Sequence, residues 1–339
     1  MKGKRGRSRY AATYKIENIG RIIFGSGAMA RKLRVEYEGA IYHVMNRGDR
    51  QESIYLDEKD AKEFVKTLGE VCQRAEWQVH AYCLMNNHFH LAVETPNANL
   101  VAGMKWFLGT YTSRFNRRHR CFGHLFSGRY KSLIVDGSGS EYLRTVCSYV
   151  HLNPSRAGLV DEKEPLKSYP WSSFGEYLKV PRQRAPWLRV DRVLGDLGIL
   201  KDSTSGRRRY ETKMEAQRFE EEPEAFGKVR RGWCLGSEAF RKEMLEEVAE
   251  KATVHHYGEE RRESAEVKAK RILAREMKRL KWRGEDLENE AKGHQGKIEI
   301  ARRLRQETMM TVSWIAEHTK MGSEANVRKL LSGYNKSRK

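Results

Sequence analysis

Gln78-Val79-His80-Ala81-Tyr82-Cys83-Leu84-Met85-Asn86-Asn87-His88-Phe89-His90-Leu91-Ala92-Val93-Glu94 decides the fold, because it holds two strand-length runs joined by a two-residue turn. The runs are Gln78 to Met85 and His88 to Glu94. Asn86-Asn87 suits a tight hairpin, since Asn tolerates positive φ. Side chains alternate along a strand, so Phe89, Leu91 and Val93 point one way and His88, His90 and Ala92 the other. The apolar set must face a core, which puts the two histidines on the opposite face.

Outward from this hairpin, a strand over Ala40 to Asn46 precedes it, closed by Arg47-Gly48-Asp49, and a helix over Glu58 to Arg74 connects the two. Ala61, Phe64, Val65, Leu68 and Val71 recur at helical spacing in that helix. A second helix is expected over Leu100 to Asn116 and a fourth strand over Lys131 to Val135. The order βαββαβ predicts an α+β, ferredoxin-like domain whose antiparallel sheet carries both helices on one face. The other face is expected to be open, with His88 and His90 on it. A further helix, Glu141 to Leu152, is expected to start at Ser138 or Ser140 and stop before Pro154, because the residue before proline avoids helical angles.

Beyond Pro154 the chain is loop-rich to about Leu200, with Trp171, Phe174, Tyr177 and Trp187 available to pack it down. Charged helices follow near Arg207 to Phe219 and Ser237 to Ala249, the latter capped by Ser237 with Phe240, Met244, Leu245 and Val248 as its apolar stripe. The last stretch is helical in pattern and holds a candidate helix-turn-helix: Thr311 to His318, a turn at Lys320-Met321-Gly322, and a helix capped by Ser323 with Ala325, Val327, Leu330 and Leu331 inward and Arg328 and Lys329 outward. The expected division is a basic disordered arm over 1–34, a sheet domain over 35–180, a helical linker region over 181–257 and a helical, DNA-binding region over 258–339. The arm carries ten Lys or Arg against one acid, Glu17. A start at Met29 is an equal reading of that arm.

The chain has a net charge of +20 and a pI near 9.7, an excess that attracts polyanions and releases their counterions on binding. Nucleic acid is the expected partner. The charged fraction of 32% with 10% aromatics excludes a wholly disordered chain. Five cysteines at 72, 83, 121, 147 and 234, with no C-x-x-C pair, read as reduced thiols of a cytoplasmic protein. No apolar run reaches the ~18 residues of a membrane span, and Arg21 to Met29 is too glycine-broken for an export signal.

His88-Phe89-His90 sets two imidazoles on one strand face, within reach of one divalent cation. With 11 histidines in the chain such a triplet arises readily by chance, so it needs context. Tyr149 and Asn153, at i and i+4 on one helix, supply a phenol and an amide on the same side. A phenol holds its proton at neutral pH, so as a nucleophile it needs an electrophile activated by a cation on a phosphate oxygen.

Several motifs together resemble the REP-associated tyrosine transposases, single-tyrosine transposases of the HUH endonuclease superfamily. They are Tyr42-His43-Val44-Met45-Asn46-Arg47-Gly48, Leu84-Met85-Asn86-Asn87-His88-Phe89-His90-Leu91, Gly128-Arg129-Tyr130-Lys131-Ser132, Tyr149-Val150-His151-Leu152-Asn153-Pro154 and Arg156-Ala157-Gly158-Leu159-Val160. The resemblance spans roughly Arg31 to Tyr177. It implies a Mg- or Mn-dependent nuclease and strand-transferase acting on single-stranded DNA beside a hairpin, as a monomer or homodimer. Tyr149 would form a 5′-phosphotyrosine link, and His88, His90 and Asn153 would hold the metal, with His151 as the rival third ligand.

Arg47, Arg129 and Lys131 are the expected DNA contacts, with Tyr42 or Tyr130 available to stack on bases or to serve as core. The C-terminal helices, only loosely similar to duplex-binding end domains of bacterial replication initiators, are expected to add duplex DNA affinity through Arg328 and Lys329. Two other classes fit the same pattern: a non-catalytic DNA- or RNA-binding protein, and a metal-independent ribonuclease.

Overall fold

A computed structural model describes residues 34–138, 140–220, 226–253 and 259–336; the expected basic arm lies outside them except for Arg34. The expected strands are β1 (Ala40–Arg47), β2 (Gln78–Met85), β3 (His88–Thr95) and β4 (Lys131–Val135), with helix α1 (Glu58–Ala75) between β1 and β2 and α2 (Leu100–His119) between β3 and β4. The sheet order is β2-β3-β1-β4-β5, antiparallel except at its last pair. Asp57 starts α1 by accepting from the backbone N–H groups of Lys59 and Asp60 at 2.9 and 3.0 Å. Glu76 ends it in the left-handed conformation at φ 61. The stripe Ala61, Phe64, Leu68 and Val71 is buried against the sheet. Phe64 meets Phe89 of β3 at 5.2 Å and Phe107 of α2 at 5.0 Å. Truncating so enclosed a ring to alanine costs about 3–5 kcal/mol.

The hairpin turn falls at Asn86-Asn87, but neither residue has positive φ. What fixes these asparagines is pairing with the loop after β1: the Asn86 carbonyl accepts from Ile54 N at 2.9 Å and the Asn87 carbonyl from Gly48 N at 2.8 Å.

The face expected to be open is covered. Helix α3 (Ser140–Arg156) lies across β2 and β3 there, burying Leu143, Val146, Cys147 and Val150 at helical spacing. It does not stop before Pro154 but runs two residues past it. Proline's own φ suits a helix, so the cost is the single bond to the Val150 carbonyl that Pro154 cannot donate. The turn closes beyond it, through Ala157 N to Asn153 O at 3.0 Å and Leu159 N to Pro154 O at 2.8 Å.

Short helices α4 (Phe174–Leu178) and α5 (Asp191–Asp196), then α6 (Thr204–Glu220), α7 (Gly227–Arg231), strand β5 (Cys234–Leu235) and α8 (Glu238–Thr253) complete this part. Phe174, Tyr177, Leu188, Val193, Tyr210, Met214, Phe226 and Leu235 share one buried core with the sheet. Described apolar side chains between Leu188 and Leu235 thus enter this core, and β5 adds to the edge of β4 in parallel. Loop backbone likewise covers the β2 edge, with Leu84 N donating to Trp171 O at 2.9 Å and Val79 N to Trp187 O at 3.0 Å.

Helices α9 (Glu259–Leu280), α10 (Gly284–Asn289), α11 (Gln295–Glu307), α12 (Val312–His318) and α13 (Glu324–Lys336) form a second unit, with its own core of Ala269, Ile300, Ala301, Leu304, Ile315, Met321 and Val327. Thr311 and Ser323 cap α12 and α13 through Trp314 N at 3.1 Å and Asn326 N at 3.3 Å. Lys320 at φ 53 and Gly322 at φ 85 make the turn between them. Ala325, expected inward, is exposed. The unit docks on α1: Lys268 pairs with Glu76 at 2.8 Å, and the Arg74 guanidinium donates to the Arg305 carbonyl and covers the Trp106 ring at 4.4 Å. Among the described residues no helix is long and apolar enough to cross a membrane.

Candidate active site

Strand parity delivers His88 and His90 to the face beneath α3, and the sheet register adds a residue from β1. Met45 stands opposite His90, so His43, two residues back on the same face, is its diagonal neighbour. His43 Nε2 lies 3.0 Å from His90 Nδ1 and the rings stack at 5.2 Å. The His88 ring stands edge-on to His90 at 5.0 Å, and its Nδ1 meets the Asn87 side-chain oxygen at 2.7 Å. An amide oxygen only accepts, so His88 carries its proton on Nδ1 and leaves Nε2 as a lone pair.

Burial disfavours the charged imidazoles. It pushes His43 down to about 4; burial and then Arg47 push His88 to about 4; and His90 lies well below its ordinary 6.5 through burial, then His43, His88, Arg156 and Arg47. All three are neutral at pH 7, the form that binds a metal.

Tyr149, on α3, points into this group. Its ring centre is 5.5 Å from that of His43 and 5.4 Å from that of His90, and Phe226 packs on it at 5.4 Å. The Arg156 guanidinium lies 5.1 Å from the same ring and 4.8 Å from Phe226. The tyrosine is 7% exposed, against 3% for His90 and 4% for His43. One turn on, Asn153 donates an amide N–H to the Tyr149 carbonyl at 2.8 Å, which leaves its side-chain oxygen as an acceptor. His151 is elsewhere: its Nδ1 meets the Tyr210 hydroxyl at 2.8 Å and its Nε2 the Ser173 hydroxyl at 2.7 Å. Both nitrogens are engaged, so the rival third ligand is a structural residue.

Among the described residues no three His, Cys, Asp or Glu side chains converge to hold a metal. The histidines themselves fit a cation. Each has one ring nitrogen fixed by a partner, His88 by Asn87 and His90 by His43. That outer contact sets the tautomer and frees the other nitrogen to ligate.

The structure gathers some of the expected contacts at one end of the sheet. Arg47 is opposite His88, Lys131 is opposite Met45, and Arg129 lies two residues before Lys131; all three side chains are exposed. Arg328 and Lys329 are exposed on α13 in the other unit, and Arg328 pairs with Glu324 at 2.7 Å. Tyr42 and Tyr130 are buried and serve as core: the Tyr42 hydroxyl donates to Val35 O at 3.0 Å, and Arg34 covers Tyr130 at 3.4 Å. His43, Arg156 and Phe226 join the site without a role expected for them from sequence. The parity of His43 with Arg47 along β1 was the available signal for the first.

Fold and site together define a mixed α+β domain with a tyrosine packed among neutral histidines beneath a basic sheet end. Residues 36–153 match the family model described as Transposase IS200 like, so over that segment the resemblance to single-tyrosine transposases holds. This match supports a role as a DNA-cleaving transposase. A solved structure of the REP associates tyrosine transposase bound to a REP hairpin aligns with 14% identity over 47% of this chain and 91% of that one, at a TM-score of 0.39. No curated protein matches the chain.

Proposed function

We propose that this protein is a metal-dependent endonuclease and strand-transferase for single-stranded DNA beside a hairpin, with Tyr149 as nucleophile. The observation that carries the proposal is the packing of the Tyr149 ring at 5.4–5.5 Å from two neutral histidines on the sheet. The βαββαβ order and the strand order β2-β3-β1-β4 fit a ferredoxin-like nuclease domain.

His88 and His90, with the Asn153 side-chain oxygen, would hold Mg or Mn. When bound, the cation polarises a phosphate oxygen and so makes the phosphorus more electrophilic. The Tyr149 oxygen attacks that phosphorus and the bond to the 3′ oxygen breaks. The phenolic proton leaves to water and the departing 3′ oxygen takes one up. The products are a 5′-phosphotyrosine and a free 3′-OH; one phosphoester replaces another, so rejoining needs no external energy source. Arg47 and Arg156 neutralise the phosphodiester, while Arg129 and Lys131 hold the flanking backbone. α12 and α13 fit a helix-turn-helix that adds duplex DNA affinity through Arg328 and Lys329.

Incubation of the full chain with Mn and a labelled single-stranded hairpin oligonucleotide tests the proposal. A covalent adduct is expected that Tyr149→Phe and His88→Ala both abolish; cleavage surviving Tyr149→Phe rules the mechanism out. Replacing both Arg328 and Lys329 with glutamate should weaken duplex binding and spare the adduct, and unchanged duplex affinity would remove that role. The burial of Tyr149 favours a second reading, a binder of repeat DNA that does not cut. Tight hairpin binding with no adduct under any divalent cation would select it.

A further inference from the structure

Phe122 is 99% exposed, in the loop between α2 and β4. The loop around it is anchored at both ends. Arg120 and Gly123 hold the left-handed conformation at φ 55 and 94. Beyond them the chain pairs with the loop after β1: Asp49 N donates to Leu125 O at 2.9 Å, Ser127 N to Arg47 O at 2.8 Å, and Gly48 bridges to Phe126. The ring is thus held out in solvent by a loop tied to a strand end.

Its surroundings are basic. Arg47, Arg50, Arg117 and Arg120 are exposed, and no ion pair among the described residues engages them. Of the nearby acids, Asp57 and Asp60 are already paired with Arg118, and Asp60 also meets His119 at 2.7 Å, so Asp49 and Glu52 are left against the four arginines. Leu56, 62% exposed, borders the same knot, its N–H donating to Asp60 at 3.0 Å. The result is a rim with free positive charge around an unburied aromatic ring, and it runs into Arg47, which stands opposite His88. A row of cations beside an aromatic platform suits single-stranded nucleic acid, because the backbone follows the charges while any base offers a π-face to the ring.

We propose that this rim is a single-stranded DNA site, in which Phe122 stacks on an unpaired base of the strand leading to or from Tyr149 and Arg47, Arg50, Arg117 and Arg120 take its phosphates. It deepens the proposed DNA-cleaving function and rests on that reading for its substrate. Paired bases present no free face, so the site selects unpaired strand over duplex.

Fluorescence anisotropy with a labelled oligo-dT 15-mer and a blunt 15-bp duplex, measured on the full chain with a chelator present, tests the site without cleavage. Phe122→Ala should weaken oligo-dT binding about 5- to 150-fold, equivalent to about 1–3 kcal/mol for one stacked base. Duplex affinity should change less than twofold, and Phe122→Trp should restore single-strand binding. Cys121, the exposed cysteine beside the ring, gives a readout on the unaltered protein: oligo-dT should slow its alkylation and the duplex should not. An oligo-dT affinity that moves less than twofold, equal losses on both DNAs, or no protection of Cys121 overturns the proposal. Absence of the Tyr149 adduct instead overturns the cleavage reading and leaves these binding results standing.

Discussion

His43→Phe isolates the contact that sequence reading missed. Phenylalanine keeps a ring of similar shape in the stack on His90 but deletes the nitrogen 3.0 Å from His90 Nδ1. A buried N–H left without an acceptor costs about 1–3 kcal/mol. For a ligating histidine, loss of its outer partner lowers metal affinity about 10- to 100-fold, which converts to about 1.4–2.8 kcal/mol. The two routes agree because they describe one event: His90 either turns to satisfy its proton or loses the tautomer that frees Nε2. The measurement is the half-saturating Mn concentration for adduct formation on the labelled hairpin, with unfolding followed in parallel. The midpoint should rise about 10- to 100-fold, and saturating Mn should restore most of the adduct. A midpoint that moves less than threefold in a folded variant refutes the positioning role. An adduct absent at every Mn concentration also refutes it, and makes His43 directly necessary for the chemistry.

Stability should fall with acid through the buried histidines. Burial holds His151 down to about 3 against an ordinary 6.5, so the folded state binds fewer protons and its stability, complete above pH 6.5, drains away as pH falls toward 3. At pH 5, one such group costs about 2 kcal/mol; urea unfolding of His151→Gln should show a shallower loss between pH 7 and 5 than the parent protein, and parallel curves would contradict it. Gly103→Ala should destabilise the sheet domain by about 1–3 kcal/mol, because a Cβ there overlaps the Trp77 ring, whose indole N–H is held by Asn99 at 2.7 Å. A thermal midpoint within a degree of the parent would show that Trp77 can move aside.

What was legible in the sequence was what depends on local period. The four long strands and the first two helices follow from alternation of two and spacing of three to four, and the same parity placed His88 and His90 on the side away from Phe89. What was hidden depends on contacts between distant segments. The partnership of His43 with His90 needs the β1–β3 register. The covering of that face needs the path of α3, and Phe226 reaches Tyr149 from far along the chain. β5 is two residues long and has no period to read. Pro154 misled because a boundary rule with a cost of one hydrogen bond was outweighed by the burial of Leu152 and by the Asn153 bond to the Tyr149 carbonyl on the same turn. Asn86-Asn87 gave the right turn for a different reason, since pairing with the loop after β1, rather than positive φ, holds it.

The chemistry of the proposed donor set gives a reason why a tyrosine so enclosed would suit phosphate transfer. Imidazole and amide ligands are neutral, whereas each carboxylate ligand would cancel part of a cation's charge. As the proposed ligands, His88, His90 and Asn153 would leave the full double charge of a divalent ion for the phosphate, where polarisation is needed. In the proposed site the same neutrality would leave the ion weakly held until an anion joins it, so cation and DNA would each raise the other's affinity by the same factor. Arg47 and Arg156, which already depress His90, add positive charge without competing as ligands. A site built this way would gain its negative charge from the substrate, and its burial, by lowering the local dielectric, would strengthen that attraction.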